Sequence, residues 1–404
     1  MDRLAHLRQA EWLTQDRVMA WARVLLVLEV LFVAFLAAWQ NGAFFTVEKP
    51  HSADFVSFHA AGQLALAGQP ALAYDQAAHL AVQRQTTVMG DSYQFFFYPP
   101  VYLLLCAPLA LLPYHLSLAV FLLVTLGMFL FAMHRIIRPT GWGWLVPVLC
   151  FPAMFWNLGV GQNAFLTAAL FAGFTLMLDR RPVAAGGMLG LMCYKPHYGL
   201  LAPVALASGQ RWRAFVAAAC VVAGLVALSV ACFGVETWQA YLTAAAGSSK
   251  VYESGRIDLA GMITVFGAAR LTGVPPQAAW AAQAVAALAM AGLVALVWRR
   301  GDQGDARRAV LLTATLLAVP LSLVYDQLLL LVAMAWLLRD ARETGFLPWE
   351  RLLLVLVWPL SLMTWIIGTS WHIPLAPLTH LVVLGLGLRR VWAARAVRMA
   401  YSEA

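Results

Sequence analysis

The sequence predicts an all-α, polytopic integral membrane protein built as a single membrane domain over residues 1–404. Three observations lead there. First, 62% of the residues are hydrophobic and 11% charged, whereas a soluble domain carries roughly 25% charged residues; the mean hydropathy is +0.75. Second, apolar runs recur along the whole chain, at 18–39, 116–133, 165–178, 214–233, 278–298, 309–338, 352–367 and 375–388, several of them close to the ~20 residues that a spanning helix needs. Third, arginines punctuate the gaps between those runs, as at Arg135/Arg138, Arg180/Arg181, Arg211/Arg213, Arg299/Arg300 and Arg389/Arg390. That is the positive-inside pattern, and it places both termini in the cytoplasm. It also accounts for the net charge of +8 without a nucleic-acid partner. The lysines Lys49, Lys195 and Lys250 fall outside the arginine clusters. The five cysteines sit in apolar runs without metal-ligand spacing and read as small buried hydrophobes.

Each element follows in order. The run 18–39 comes after a polar, basic stretch and carries Glu29, which reads as a retained anchor rather than a signal peptide. It leads out into the longest polar segment, an extracytoplasmic loop over 41–97. Helical periodicity over 55–66, a Gly68-Gln69-Pro70 break and an amphipathic stretch over 76–86 predict short interfacial helices within that loop. Residues 101–112 hold Pro108 and precede Pro113, which predicts a broken or re-entrant segment. Residues 144–156 cross outward and leave Gly161-Gln162-Asn163 outside; 165–178 returns to Arg180/Arg181. Residues 183–193 and 198–207 are each short for a span and predict a hairpin whose outer tip is Tyr194-Lys195-Pro196-His197. A second extracytoplasmic loop covers 234–261, and the run 309–338 breaks at Pro320 and again at Tyr325-Asp326. The sum is about ten to twelve transmembrane helices of roughly 20 residues or fewer, with no internal repeat. Polar groups from distant parts of the chain thus converge on one face.

Asp54, in Ser52-Ala53-Asp54-Phe55, is the foremost candidate. It would cap a helix beginning at Phe55; equally, a carboxylate at a water–membrane boundary has a raised pKa and makes a good general base. Lys195 reads either as a snorkelling side chain or as a ligand for a phosphoryl oxygen, with His197 beside it. Gln162 and Asn163 read as a helix start or as amides that hold sugar hydroxyls. Tyr98 belongs to an interfacial aromatic belt or stacks on a sugar ring. Tyr325 and Asp326 interrupt Leu-rich sequence, where an ionisable residue is functional by default. His59 and Arg256 complete the polar groups expected near a sugar or acceptor. The P-loop, GxSxG, HExxH and Rossmann fingerprints are missing, so neither a metal nor a cofactor is expected.

Taken together, Asp54-Phe55, Gly68-Gln69-Pro70-Ala71-Leu72-Ala73-Tyr74-Asp75, Phe97-Tyr98-Pro99-Pro100 with Pro108-Leu109, Gly161-Gln162-Asn163, and Gly190-Leu191 with Lys195-Pro196 resemble glycosyltransferase family 87 in order and spacing. This is a GT-C class of polyprenyl-phosphate-sugar-dependent transferases, best known for mannosyltransferases of actinobacterial phosphatidylinositol mannosides. The resemblance covers residues 50–340. It implies a GT-C-type helical bundle in the plasma (inner) membrane, an extracytoplasmic site, a polyprenyl-phosphate-linked sugar donor, and a lipid or glycan acceptor. The family's acidic residue maps onto Asp54 and its Lys-Pro lysine onto Lys195. Where the mannoside branch uses a late histidine, this chain offers Tyr325-Asp326.

The chemistry agrees with those roles. A lipid phosphate is a good leaving group, so the reaction needs one base for the acceptor hydroxyl and one cation for the departing phosphate. The rival reading is a polyprenyl-linked sugar or lipid transporter, which would use intramembrane charges and inverted repeats for alternating access.

Overall fold

The computed structural model describes residues 3–39, 54–87, 93–253, 257–299 and 304–402. Among them the regular structure is helical, apart from one isolated antiparallel bridge between Met262 and Leu323.

The short α1 (Arg3–Gln9) precedes α2 (Gln15–Trp39), a helix of 25 residues. Helices α3 (Phe55–Leu66) and α4 (Gln76–Thr86) form where the periodicity places them. Gly68, at φ 75°, turns the chain between them, and the Asp75 carboxylate caps α4 by accepting from Ala78 N at 2.8 Å. Helix α5 (Leu103–Leu109) is the short segment expected around Pro108, and it lies against α3. A Cβ on Gly62 would stand 2.2 Å from the Cys106 carbonyl oxygen, so only glycine permits this crossing. Helix α6 (Tyr114–Ile137) follows; then α7 (Leu145–Leu149) and α8 (Pro152–Val160) bend by 71° at the Phe151-Pro152 step.

Helix α9 (Ala164–Met177) is followed by α10 (Pro182–Gly190) and α11 (Ala202–Ser208), which are the two arms expected of the hairpin. Two 3-10 turns break the chain at Lys195. Helix α12 (Trp212–Phe233) packs on α10 through small residues: a Cβ on Gly186 would fall 2.3 Å from Ala214 O, and one on Gly190 would fall 2.6 Å from Val221 Cβ. Helix α13 (Val235–Glu253) differs from expectation, because most of the second predicted loop is helical. Helices α14 (Val265–Leu271), α15 (Pro276–Trp298), α16 (Ala306–Ala318), α17 (Leu328–Thr344), α18 (Glu350–Trp371) and α19 (Leu375–Ser402) complete the bundle.

Among the described residues, α6, α12, α15 and α18 are each long and apolar enough to cross a membrane, and the bent α7–α8 pair would make a fifth span. The larger number expected from hydropathy includes runs built as shorter helices, such as α9 and α10. It also includes 309–338, which becomes α16 and α17 at the centre of the molecule. Every residue of α16 is buried, as is α17 from Leu328 through Leu337. A helix apolar on all sides belongs inside a bundle, and α6, α9, α15 and α19 surround this pair.

The chain breaks between α16 and α17 at 319–323. Gln283 of α15 makes that break tolerable: its Nε2 donates to Leu317 O at 3.0 Å and Ala318 O at 2.9 Å, satisfying carbonyls that the helix end leaves unpaired. The turn at Val324–Gln327 then delivers Tyr325 and Asp326.

Charge separates along the helices. At one end, Asp179 accepts from Arg211 at 2.8 Å, from Arg307 at 2.6 Å and from Arg308, while Arg390 donates to Asp340 at 2.7 Å and to Glu350 at 2.5 Å. At the other end lie Asp54, Lys195 and Asp326. The 14 residues of α9 and the 17 of α17 separate the two ends by about 20–25 Å at 1.5 Å per residue.

Candidate active site

Asp54 stands at the N-terminus of α3, yet its side chain makes no capping hydrogen bond there. The carboxylate turns instead to Gln162, whose Nε2 donates to Asp54 Oδ2 at 3.0 Å. The turn after α8 explains how a residue 108 positions away arrives at that spot. Gly161 closes α8 at φ 70°, and its N–H and that of Gln162 both donate to Asn157 O, at 3.0 and 3.2 Å. The Asn157 side chain caps the next helix, accepting from Ala164 N at 3.0 Å. A Cβ on Gly161 would lie 2.8 Å from Phe55 Cβ, so this turn presses directly on the residue after Asp54. Burial pushes the Asp54 carboxyl up to about 6, with the Gln162 hydrogen bond and the Lys195 charge pulling the other way.

Lys195 and Asp326 form a buried ion pair, Nζ to Oδ1 at 3.0 Å, with 6% and 4% of the two side chains exposed. The Lys195 ammonium also sits over the rings of Tyr198 and Tyr325, at 5.4 and 5.6 Å from their centroids. Asp326 is fixed in its turn, its Oδ2 accepting from Leu323 N at 3.3 Å. Tyr198 OH meets Ser322 Oγ at 2.6 Å, which ties the Lys195 turn to the same segment. His197 is held neutral: burial and the adjacent Lys195 charge push its imidazole down to about 4.

Asp54, Tyr98, Gln162, Lys195, His197, Tyr325 and Asp326 line one cavity of about 490 Å³. The sequence named all seven. Much of the remaining wall is aromatic or aliphatic, with Gln76, Gln94, Thr243, Ser248 and Ser322 among its polar members. The Phe95 and Phe97 rings stack at 5.1 Å with 7° between their planes, and Tyr74 packs on Tyr241 at 5.6 Å. Tyr241, Ala244, Ala245, Ser248 and Val251 present one face of α13 to the cavity, the i, i+3, i+7 spacing of a helix stripe.

Two predicted residues lie elsewhere. His59 points into the protein, its Nε2 at 3.1 Å from Leu112 O, because it sits one helical turn past Asp54 on the side that meets α5 and α6. Asn163 is fully buried and donates to Tyr102 OH at 3.2 Å, a packing role rather than a sugar contact. Arg256 lies outside the described residues. Conversely, Tyr74, Tyr241 and Ser322 line the cavity without having been singled out. For Tyr241 a usable signal existed in the sparsely charged, small-residue stripe of 241–251; Ser322 had none. Among the described residues, no three His, Cys, Asp or Glu side chains are grouped to hold a metal.

The family model of glycosyltransferase family 87 matches residues 96–324, more than half of the chain. The match includes Tyr98, Gln162, Lys195 and His197; Asp54 precedes it and Asp326 falls two residues beyond its end. No protein of curated function and no solved structure matches the chain.

Proposed function

Because the chain belongs to glycosyltransferase family 87, we propose that it moves a hexose, mannose first among them, from a polyprenyl-phosphate-linked donor to a hydroxyl of a lipid or glycan acceptor. Asp54 acts as the general base. The observation that carries this reading is the meeting of a carboxyl raised to about 6 with a buried ammonium in one cavity. A carboxylate of that basicity is largely ionised at neutral pH, yet accepts a proton more readily than an exposed aspartate.

In this mechanism the acceptor oxygen attacks the anomeric carbon and its proton passes to Asp54. The bond from the anomeric carbon to the phosphate oxygen breaks, and its electron pair stays on the phosphate. Lys195 faces the negative charge that develops there. An ammonium has three N–H donors; one is occupied by Asp326, which leaves two for phosphate oxygens. His197, being neutral, contributes a hydrogen bond rather than charge. The stacked Phe95 and Phe97, with Tyr74 and Tyr241, offer surfaces for a sugar ring and for apolar lipid. The cavity opens on the extracytoplasmic side in this reading, since the arginine-rich end faces the cytoplasm.

The test is to incubate purified protein in lipid vesicles with radiolabelled polyprenyl-phosphate mannose and, in parallel, polyprenyl-phosphate glucose and galactose, together with a membrane lipid extract. Label should pass to an acceptor with wild-type protein and not with Asp54→Asn. Movement of labelled donor across the vesicle without transfer would favour the transporter.

A further inference from the structure

From the Gln162 side chain we infer that it is a positioning residue for Asp54, acting through the carboxylate rather than on the sugar. The inference rests on Asp54 serving as the base.

An amide side chain can present either its oxygen or its nitrogen, and the surrounding donors decide which. Here Gln162 Oε1 accepts from Asn163 N at 3.1 Å and from Tyr98 OH at 3.2 Å. A backbone N–H is only a donor, so the oxygen is fixed on that side and the NH₂ group must face Asp54. Tyr98 is itself anchored, its carbonyl accepting from Tyr74 OH at 2.9 Å. The backbone of Gln162 is held by Asn157, and 93% of the residue is buried. The orientation therefore belongs to the fold.

The consequence for Asp54 is specific. Its Oδ2 is engaged at 3.0 Å, and no described residue donates to Oδ1. One oxygen is thus committed to the protein while the other remains for an acceptor hydroxyl. A hydrogen bond to the ionised carboxylate also opposes the effect of burial. Without it, the carboxylate would be both less ionised near neutral pH and freer to rotate.

The other charged or titratable groups facing Asp54 are Lys195 from the α10–α11 turn, Tyr98 from the 93–99 segment, Tyr114 at the start of α6, and Tyr325 with Asp326 from the turn before α17. Burial displaces Tyr98 and Tyr325 upward, so both stay neutral across the range tested. The Lys195–Asp326 pair is common to every variant below.

The experiment reads Asp54 directly. Infrared difference spectra of wild type against Asp54→Asn isolate the Asp54 carboxyl band, which is titrated from pH 4 to 9 in wild type, Gln162→Leu, Gln162→Glu and Tyr98→Phe. Gln162→Leu should raise the midpoint by about one to two pH units, the size expected for a hydrogen bond to a charged group. Gln162→Glu should raise it as well, through like-charge repulsion, and Tyr98→Phe by less, since it frees the amide without removing it. In the mannosyl-transfer assay, Gln162→Leu should lower kcat about 2- to 10-fold at pH 7, since between about one half and one tenth of the base stays ionised, with donor and acceptor KM within about 2-fold. An unmoved infrared midpoint in both Gln162 variants, or a KM effect with an unmoved midpoint, would overturn the inference and return Gln162 to sugar binding. Tyr98→Phe serves the same purpose if the Gln162 variants unfold. Full turnover in Asp54→Asn would sink the base assignment itself, whatever the infrared midpoints show.

Discussion

Asp54 is costly where it stands. Its carboxyl is raised from 3.8 to about 6, so the folded state holds its proton more tightly than the unfolded chain does. The sign follows by linkage: below about pH 4 both states are protonated and the site costs nothing, and the cost grows as pH rises through 6. Two units correspond to roughly 3 kcal/mol as an upper bound. Asp54→Asn should therefore abolish transfer yet raise the melting temperature of detergent-solubilised protein, with the gain appearing between pH 4 and 6 and complete by pH 7. A pH-independent loss of stability would instead mark Asp54 as a structural residue. Lys195 and Asp326 pose the opposite case. Removing one partner of a buried pair strands the other, at a cost on the order of 3–5 kcal/mol. Lys195→Met and Asp326→Asn should each lower the melting temperature, and the double variant should recover most of it. Transfer should not recover: the double variant lacks the cation for the leaving phosphate and should stay roughly 100-fold down. Turnover restored along with stability would remove Lys195 from the site.

At the scale of elements, the site depends on close helix crossings that place Lys195. Helix α10 ends five residues before Lys195 and lies on α12 through Gly186 and Gly190, opposite Ala214 and Ala218. This small-xxx-small pairing lets two backbones approach where lipid gives no hydrophobic drive for association. A valine at 190 would begin with its Cβ 2.6 Å from Val221 Cβ. Gly190→Val should lower stability by about 1–3 kcal/mol, the usual cost of overpacking, and reduce transfer by shifting Lys195. Gly187→Val is the control: no atom lies within 4 Å of its added Cβ, so it should be near neutral in melting temperature and turnover. Equal behaviour of the two variants would show that the α10–α12 crossing does not govern the site.

The whole molecule is polarised. Carboxylates, amides and aromatic rings gather around a cavity at one end of α9 and α17, and arginines bound to Asp179, Asp305, Asp340 and Glu350 hold the other end together. Many arginines of the positive-inside pattern thus have a second role, as partners in an interhelical network. Orientation is testable with single cysteines in a cysteine-free background. Ala77, on exposed α4, should label from outside intact cells when changed to cysteine, whereas Arg181, exposed after α9, should label only after permeabilisation. The reverse pattern would invert the membrane orientation proposed for the site.

The sequence by itself determined the helical membrane class, the short helices Phe55–Leu66 and Gln76–Thr86, the break at Lys195, and seven of the groups that meet in the cavity. These are local properties: hydropathic periodicity, Gly and Pro punctuation, and ionisable residues where apolar sequence is expected. Tertiary structure decided the pairings. Neither the Lys195–Asp326 bond across 131 positions nor the Gln162–Asp54 bond across 108 leaves a local trace. His59 and Asn163 had the right chemistry and lie within a turn of cavity residues, yet the rotation of their helices turned them inward. Hydropathy alone also could not separate a buried helix from a spanning one, because the apolar run 309–338 reads like a lipid-facing span but is built into α16 and α17, which are wrapped by protein. Which apolar surface meets protein and which meets lipid is fixed by neighbours distant in the chain, and that information exists only once the bundle has assembled.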